Sequence, residues 1–374
     1  MKKQTIANIA LLVCLGSIIS LFSLSYILIP QKSFSEDENR SLQVSPRFTF
    51  EKLLDGTYTR QLHDYYSDQI ALRSSMVELK SLIELCMGKN ENNGVLLGKD
   101  NYLIETYSYS EDNIKYLKNN LTRIEKLMAS IEQNGAKVSS VIIPRKVDVL
   151  EDKFPPYYSN ERNDAVWNLV GDQHISLKDE FIIQEQLGIE MFYKTDHHWT
   201  DRGAHCAYKE LASLLNFDPL SYSYFSSTVL SDEFYGTSYS TSGFFFAEPD
   251  TIYAPTIKEG RYVTTIVDID LSFDGVYDTD YLSKKDKYST FLSGNNAHVK
   301  ITDTEDTEKE TLLIIKDSYS HSLVPYLIEH YNIELIDPRY YAGSIEEYIT
   351  ENEIKNILFL FGIDTLASAN LSIR

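Results

Sequence analysis

Positive charge and cysteine are both in short supply in this chain. Lys and Arg number 35 against 55 Asp and Glu, a formal net charge of −20 over 374 residues. A nucleic-acid partner asks for a basic face, so this balance argues against one, and against tight binding of polyanions over the surface as a whole. The three cysteines are Cys14, Cys86 and Cys206. Cys14 lies in an apolar leader, which leaves two for the folded part. That is too few for a disulfide framework, and there is no CxxC pair to hold zinc. A Cys86–Cys206 bridge is open to the sequence, but two single buried cysteines are the expectation. Internal repeats, HExxH and GxSxG are absent as well. With 43% hydrophobic and 24% charged residues, the chain has the material for a full core, and bulk disorder is excluded.

What is present begins with residues 6–29, IANIALLVCLGSIISLFSLSYILI, which hold no charged side chain. Roughly 20 apolar residues suffice to cross the hydrocarbon layer. Lys2 and Lys3 precede the run and favour a cytoplasmic amino terminus. No small-x-small cleavage site follows, and Glu36, Asp37 and Glu38 come soon after. The expectation is a signal anchor over residues 1–30 (cytoplasmic stub plus transmembrane helix), with a cleaved signal peptide as the alternative. Both leave the rest of the chain extracytoplasmic.

Apolar positions at three- and four-residue steps (Leu62, Tyr65, Tyr66, Ile70, Leu79, Ile83) predict a helix over about 58–86. GVLLGKDNYLIE (94–105) reads as a hairpin. Ser110 caps a predicted helix over 111–134 that ends at Gly135, with Ile114, Leu117, Leu121, Ile124, Met128 and Ile131 as its core stripe. VSSVIIP (138–144) is a buried strand. The last third alternates strand and helix: 311–316, 322–331, 333–337, 344–353 and 356–363. Near-continuous apolar strands in that alternation predict an α/β fold, a parallel sheet with helices on both faces. Residues of about 215–305 read as an irregular and antiparallel insertion. The predicted division is an anchor (1–30), an N-terminal extension with helix and hairpin packing on the core (31–110), and a catalytic domain (111–374).

Two segments carry chemistry. In LLIIKDSYSHSL (312–323) a buried strand runs into Asp317-Ser318-Tyr319 and then a helix. Ligands in open α/β sheets sit beyond the carboxyl ends of strands, so a serine there exposes its hydroxyl to the amide groups of the next helix. The same position also suits an ordinary helix cap, with Asp317 a turn residue. A nucleophilic serine needs a base, and the base an orienting partner. YKTDHHWTDRGAH (193–205) offers both. In extended chain Asp196 and His198 face the same side, with His197 turned away; Trp199 packs behind the imidazole and Thr200 begins a helix. Metal binding by Asp196, His197, His198 and His205 is the rival, but adjacent histidines suit one tetrahedral site poorly.

Together, TDHHWTDRGAH and KDSYS resemble the DHHW family, relatives of the alginate O-acetyltransferases in the SGNH-hydrolase-like superfamily. SEDENRSL (35–42), DGTYTRQLHDYYSDQIALR (55–73), LLGKDNYLIE (96–105), VIIPRKVDVL (141–150), YGTSYS (235–240) and DPRYY (337–341) extend the likeness. It implies a flavodoxin-like sheet, with Ser318 as nucleophile, His198 as general base and Asp196 as its orienting carboxylate. The usual GDS block appears as Lys316-Asp317-Ser318, without its glycine, and the asparagine that donates to the oxyanion has no clear equivalent. Arg339, Tyr319, Arg145 and Lys146 are further candidates for substrate or oxyanion contacts. No metal or other cofactor is implied. The implied reaction is ping-pong transfer of acetyl to an exopolysaccharide or cell-wall glycan, the acetyl group being supplied by a multi-pass membrane acyltransferase. Deacetylation by the same residues, and a catalytically silent glycan-binding or scaffold role, are the alternatives.

Overall fold

The computed structural model describes residues 2–35, 40–107, 109–156, 158–159 and 166–374. Glu36, Asp37 and Glu38 of the SEDENRSL pattern lie outside them. The chain falls into two compact units: Met1–Lys89 with Gly243–Phe245, and Asn90–Ser242 with Phe246–Arg374. The hairpin at 94–105 therefore goes with the larger unit.

In the first unit, helix α1 (Lys2–Leu28) contains the 21-residue stretch Gln4–Leu24, whose mean hydropathy of 2.2 makes it long and apolar enough to cross a membrane. The single helix expected over 58–86 is two, α2 (Thr57–Gln69) and α3 (Arg73–Cys86). The chain turns at Leu72, which has φ of 60°. Neither Gly nor Pro marks that break, because tertiary ties make it. Asp68 receives Arg40 Nη2 at 2.6 Å and the Gln43 amide at 2.8 Å, while Gln69 Nε2 donates to Lys32 and Gln43 carbonyls at 2.8 and 3.0 Å. Tyr65 of the expected stripe is buried, but Leu79 and Ile83 are exposed. Cys86 and Cys206 are both free; Cys206 is buried as expected, whereas Cys86 is exposed.

The second unit is built on an eight-stranded sheet: β1 (Lys137–Ile143), β2 (Ile175–Ser176), β3 (Tyr262–Ile266), β4 (Leu271–Asp274), β5 (His298–Asp303), β6 (Thr311–Lys316), β7 (Asn332–Ile336) and β8 (Asn356–Gly362). Their spatial order is β4-β3-β5-β7-β6-β8-β1-β2. From β7 to β2 the strands are parallel. β5, β3 and β4 continue the sheet antiparallel beyond β7. Part of the expected antiparallel insertion thus joins the parallel strands as the edge of one mixed sheet. Along β3 burial alternates residue by residue, the pattern of a strand covered on one face. The flavodoxin-like order is also not adopted: in chain order the five parallel strands run 2-1-5-3-4 rather than 2-1-3-4-5. The last strand, NILFLFG, is buried at every position and takes a central place rather than an edge.

Alternate residues of the central strands feed two cores. Val141, Ile143, Leu312, Ile314, Leu358 and Leu360 pack on α5 (Asp201–Leu215) and α6 (Ser320–Leu327). Ile142, Leu313, Ile315, Phe359 and Phe361 pack on α4 (Glu111–Gln133), α7 (Ile345–Glu351) and α8 (Ile363–Ser368). Each such aliphatic or aromatic side chain, once buried, contributes about 1.5–3 kcal/mol. The core stripe of α4 is as predicted, and Ser110 closes its first turn in a reciprocal cap with Asn113. Because α6 leaves β6 toward one face and α8 leaves the neighbouring β8 toward the other, the strands' carboxyl ends open into a crevice.

Candidate active site

The DHHW segment is a narrow loop closed by an antiparallel bridge between Phe192 and Trp199. Asp250 pins its base, accepting the Lys194 and Thr195 amides at 2.8 and 2.7 Å and the Thr195 hydroxyl at 2.5 Å. Thr200 then caps α5 by accepting the Gly203 amide at 3.1 Å. On the loop's other side Gly236 presses against Asp196: a β-carbon there would lie 2.2 Å from Asp196 Cβ and 2.3 Å from its Oδ2. Only a bare backbone passes so close, and it lets the Thr237 amide reach Asp196 Oδ2 at 2.7 Å.

Ser318 sits beyond the end of β6. The cap position of α6 is Tyr319, whose side chain makes no cap bond, so Ser318 Oγ is not used as a helix cap. It lies 2.8 Å from His198 Nε2, and His198 Nδ1 lies 2.6 Å from Asp196 Oδ1. Asp196 Oδ1 also accepts the His198 amide at 2.9 Å, which fixes the carboxylate relative to the ring. Two segments 120 residues apart therefore form one continuous hydrogen-bonded line, half-buried at its serine end.

The surroundings set the charge states. Burial raises the Asp196 carboxyl, but His198, His197 and the bonds from His198 and Thr237 outweigh it and hold the group well below the usual carboxylate range. Burial lowers His198, and His197 adds to that; Asp196 opposes without reversing the direction. At neutral pH the imidazole is uncharged, as a base must be. Behind Ser318, Lys316 Nζ lies 2.8 Å from His321 Nε2 and 3.3 Å from Asp337 Oδ2, and burial pushes both Lys316 and His321 down.

His197 is not turned away from the cleft. Its ring lies 3.9 Å from that of His198, its Nδ1 is 2.6 Å from Thr237 Oγ1, and it lines the opening with Ser318. The loop is a tight turn rather than extended chain, so the two-residue alternation does not apply. Asp196, His197 and His198 offer ligand atoms all within 4.8 Å of one another. Both His198 nitrogens and His197 Nδ1 are already engaged in hydrogen bonds, so the donor set fits a proton relay better than a cation. His205 Nε2 donates to the Leu220 carbonyl, 3.1 Å away, and is not among these three.

Tyr319 walls the cleft, with its hydroxyl on the His197 carbonyl at 2.9 Å; its amide is taken by Asp317 Oδ1 at 3.1 Å. Asp317 Oδ2 accepts the Gly362 amide at 2.7 Å, so the turn is tied to the end of β8. Arg339 lines the cleft with its Nε and Nη2 on Asp337 at 2.9 and 2.6 Å. Arg145 and Lys146 are committed elsewhere, contrary to expectation. Arg145 is buried in a two-point pair with Asp148 at 2.6 and 2.7 Å, and Lys146 Nζ donates to the Leu103 and Lys194 carbonyls at 2.6 and 3.1 Å. A helical turn at 146–149 follows β1 directly and turns both inward.

The sequence reading missed Tyr288. Its ring stacks on His198 at 3.8 Å and 11°, and its hydroxyl reaches Ser322 Oγ at 3.0 Å and the Ser318 carbonyl at 3.3 Å. It lies in a short turn of the segment taken as irregular, and no local signal marks it. Trp199 is buried, with its ring 5.3 Å from Tyr319 and its Nε1 donating to Ser322 at 2.8 Å.

The family model for the DHHW protein matches residues 87–336. The chain belongs to the DHHW family. A probable alginate O-acetylase AlgJ of Pseudomonas fluorescens is 23% identical over 176 residues, 44% of each chain. The DHHW chain spans about half the length of the curated relatives it matches. In fold it is similar to a DHHW family protein from Eubacterium siraeum, with a TM-score of 0.60, 22% identity, and coverage of 75% of this chain and 94% of the other. Bacillus cereus PatB1 with a sulfonyl adduct is similar too, at a TM-score of 0.59, 17% identity, and coverage of 74% and 96%.

Proposed function

We propose that this chain is an extracytoplasmic O-acetyltransferase acting on a polysaccharide, with Ser318 as nucleophile, His198 as general base and Asp196 as the group that orients it. The observation that carries this reading is the Asp196–His198–Ser318 line, with steps of 2.6 and 2.8 Å, ending at a cleft of about 460 Å³. The relatives named as alginate O-acetylases favour acetyl as the group moved and a glycan as its acceptor.

His198 Nε2 takes the Ser318 proton as Oγ attacks the carbonyl of an activated acetyl ester or thioester. The new Oγ–carbon bond forms, the bond to the leaving group breaks, and that group departs with the proton from His198. In the second half a sugar hydroxyl gives its proton to His198 while its oxygen attacks the acetyl-serine, and Ser318 recovers the proton. Among the described residues nothing accepts from the Ser318 amide, which leaves it free to bind the oxyanion at the start of α6. Asp196 keeps the imidazole in the tautomer that presents a bare Nε2 to the serine. Residues 90–242 and 246–374 carry this chemistry. Helix α1 serves as a single-pass anchor with a cytoplasmic amino terminus, and the donor arrives through a multi-pass membrane acyltransferase.

The test uses the full-length chain in detergent with p-nitrophenyl acetate, wild type beside Ser318→Ala and His198→Ala. Acetyl should appear on the Ser318 peptide by mass spectrometry, and a sulfonyl fluoride should block it. Acylation that persists in Ser318→Ala, or stops on adding a chelator, overturns the mechanism. Acylation followed only by release of acetate, whatever sugar is offered, points to an esterase.

A further inference from the structure

The cleft beside Ser318 holds two charged groups that the chemistry above does not use, Arg339 and Asp364. Asp364, on the first turn of α8, lines it together with Ser318, Tyr319, Tyr107, Tyr109 and Arg339. Among the described residues no donor reaches the Asp364 carboxylate, and its Oδ1 is buried without a partner. A buried acceptor left without a donor costs about 1–3 kcal/mol, more when charged; the half-buried carboxylate also lines the cleft, where a ligand hydroxyl can bring it a hydrogen. Gly362 fixes its position. A β-carbon at Gly362 would lie 2.5 Å from Asp364 Oδ1, 2.9 Å from the Tyr319 ring and 3.3 Å from Asp317 Oδ2, so Asp364 stands over the turn that carries the serine.

The lining is also aromatic. Tyr107 and Tyr109 stack at 6.1 Å and 16°, backed by the Arg145 guanidinium at 4.6 and 5.1 Å from their centroids. Arg145 thus stiffens a two-ring platform without facing the cleft. Burial raises the phenols of Tyr107, Tyr109 and Tyr319, and the Asp364 charge adds to the rise in all three, which places the carboxylate among these rings. Arg339 is held at two points by Asp337, which Lys316 also reaches, and Arg145 is held by Asp148. Asp364 has no such ion pair among the described residues, and it lines a cleft that also carries aromatic rings.

We propose that Asp364 receives the hydroxyl groups of a neutral sugar stacked on Tyr107 and Tyr109, and that it selects the acceptor against polyuronates. A carboxylate accepts from sugar hydroxyls in charge-assisted bonds and repels the carboxylate of a uronate. The inference deepens the acyl-transfer reading of the same cleft and rests on it for the acceptor's role, but binding can be read apart from chemistry.

The experiment measures binding to the full-length Ser318→Ala chain in detergent, which cannot be acylated there, by calorimetry. The probes are an N-acetylglucosamine oligomer and a mannuronate oligomer of equal length. The neutral oligomer should bind at least about tenfold tighter, and Asp364→Asn should weaken it about ten- to a hundredfold while narrowing the preference. Without any mutation, raising the salt should strengthen uronate binding by screening the repulsion. Equal or tighter uronate binding, a preference unchanged by Asp364→Asn, or no binding of either oligomer overturns the assignment. If Ser318 is never acylated in the wild type yet this discrimination holds, the transferase reading fails and the glycan site stands. If acylation proceeds and the discrimination is missing, only the Asp364 inference falls.

Discussion

Gly236→Ala is the sharpest perturbation of the proposed relay, because it adds one carbon and touches neither Ser318 nor His198. That carbon would lie 2.2 Å from Asp196 Cβ and 2.3 Å from Oδ2. Ordinary contact requires Asp196 or the 236–237 backbone to retreat by roughly 1 Å, a misplacement of the size that costs about a hundredfold in rate. The retreat strains both bonds that set the carboxylate, from His198 Nδ1 at 2.6 Å and the Thr237 amide at 2.7 Å. In serine hydrolases, full loss of the orienting carboxylate costs about 10⁴. The expected fall in acylation rate is therefore about 10²–10⁴, or about 3–6 kcal/mol at 1.4 kcal/mol per tenfold. The assay is single-turnover release of p-nitrophenol by the full-length chain, with thermal unfolding alongside to show that the variant is folded. Asp196→Ala and the double variant complete the cycle: if glycine acts through Asp196, the double variant is no slower than Asp196→Ala. A folded Gly236→Ala within threefold of wild type, or losses that multiply in the double variant, would refute the reasoning.

Three further outcomes follow from the same geometry. Burial and His197 lower His198, so its neutral form persists to more acidic pH; acylation should be lost only as pH falls through a midpoint below the free imidazole's value of about 6.5, and a midpoint at or above that value contradicts the site. Tyr288→Phe keeps the ring on His198 and should slow acylation by less than about tenfold. Tyr288→Ala uncovers the imidazole and should also move the acid limb up toward about 6.5, a shift that a purely structural loss would not produce. Asp337→Ala leaves the buried Lys316 and the partly buried Arg339 without their carboxylate and should cost about 3–5 kcal/mol in urea unfolding, with part regained by adding Lys316→Met; a loss under about 1 kcal/mol would show the pair to be unimportant for stability.

Much of this protein is legible in one dimension where a short segment settles its own structure. The apolar run 6–29, the stripe of α4 with its Ser110 cap, and the strand pattern from 311 to 362 each bury a face through local periodicity alone. The residues Asp196, His198 and Ser318 also stand out locally, because their types and spacing are uncommon outside such chemistry. What the sequence left open depends on partners far along the chain. That Ser318 faces an imidazole rather than capping α6 is decided by the approach of a loop 120 residues away. Tyr288, Asp250 and Gly236 gain their roles only from contacts with that loop, and Arg145 and Lys146 lose theirs to buried acceptors nearby. The strand order was also beyond local reading, since an all-apolar strand such as β8 can pair with any neighbour, and its place was set by which arrangement covers both of its faces. Local periodicity determined which elements form; long-range pairing and burial decided which side chains meet at the cleft.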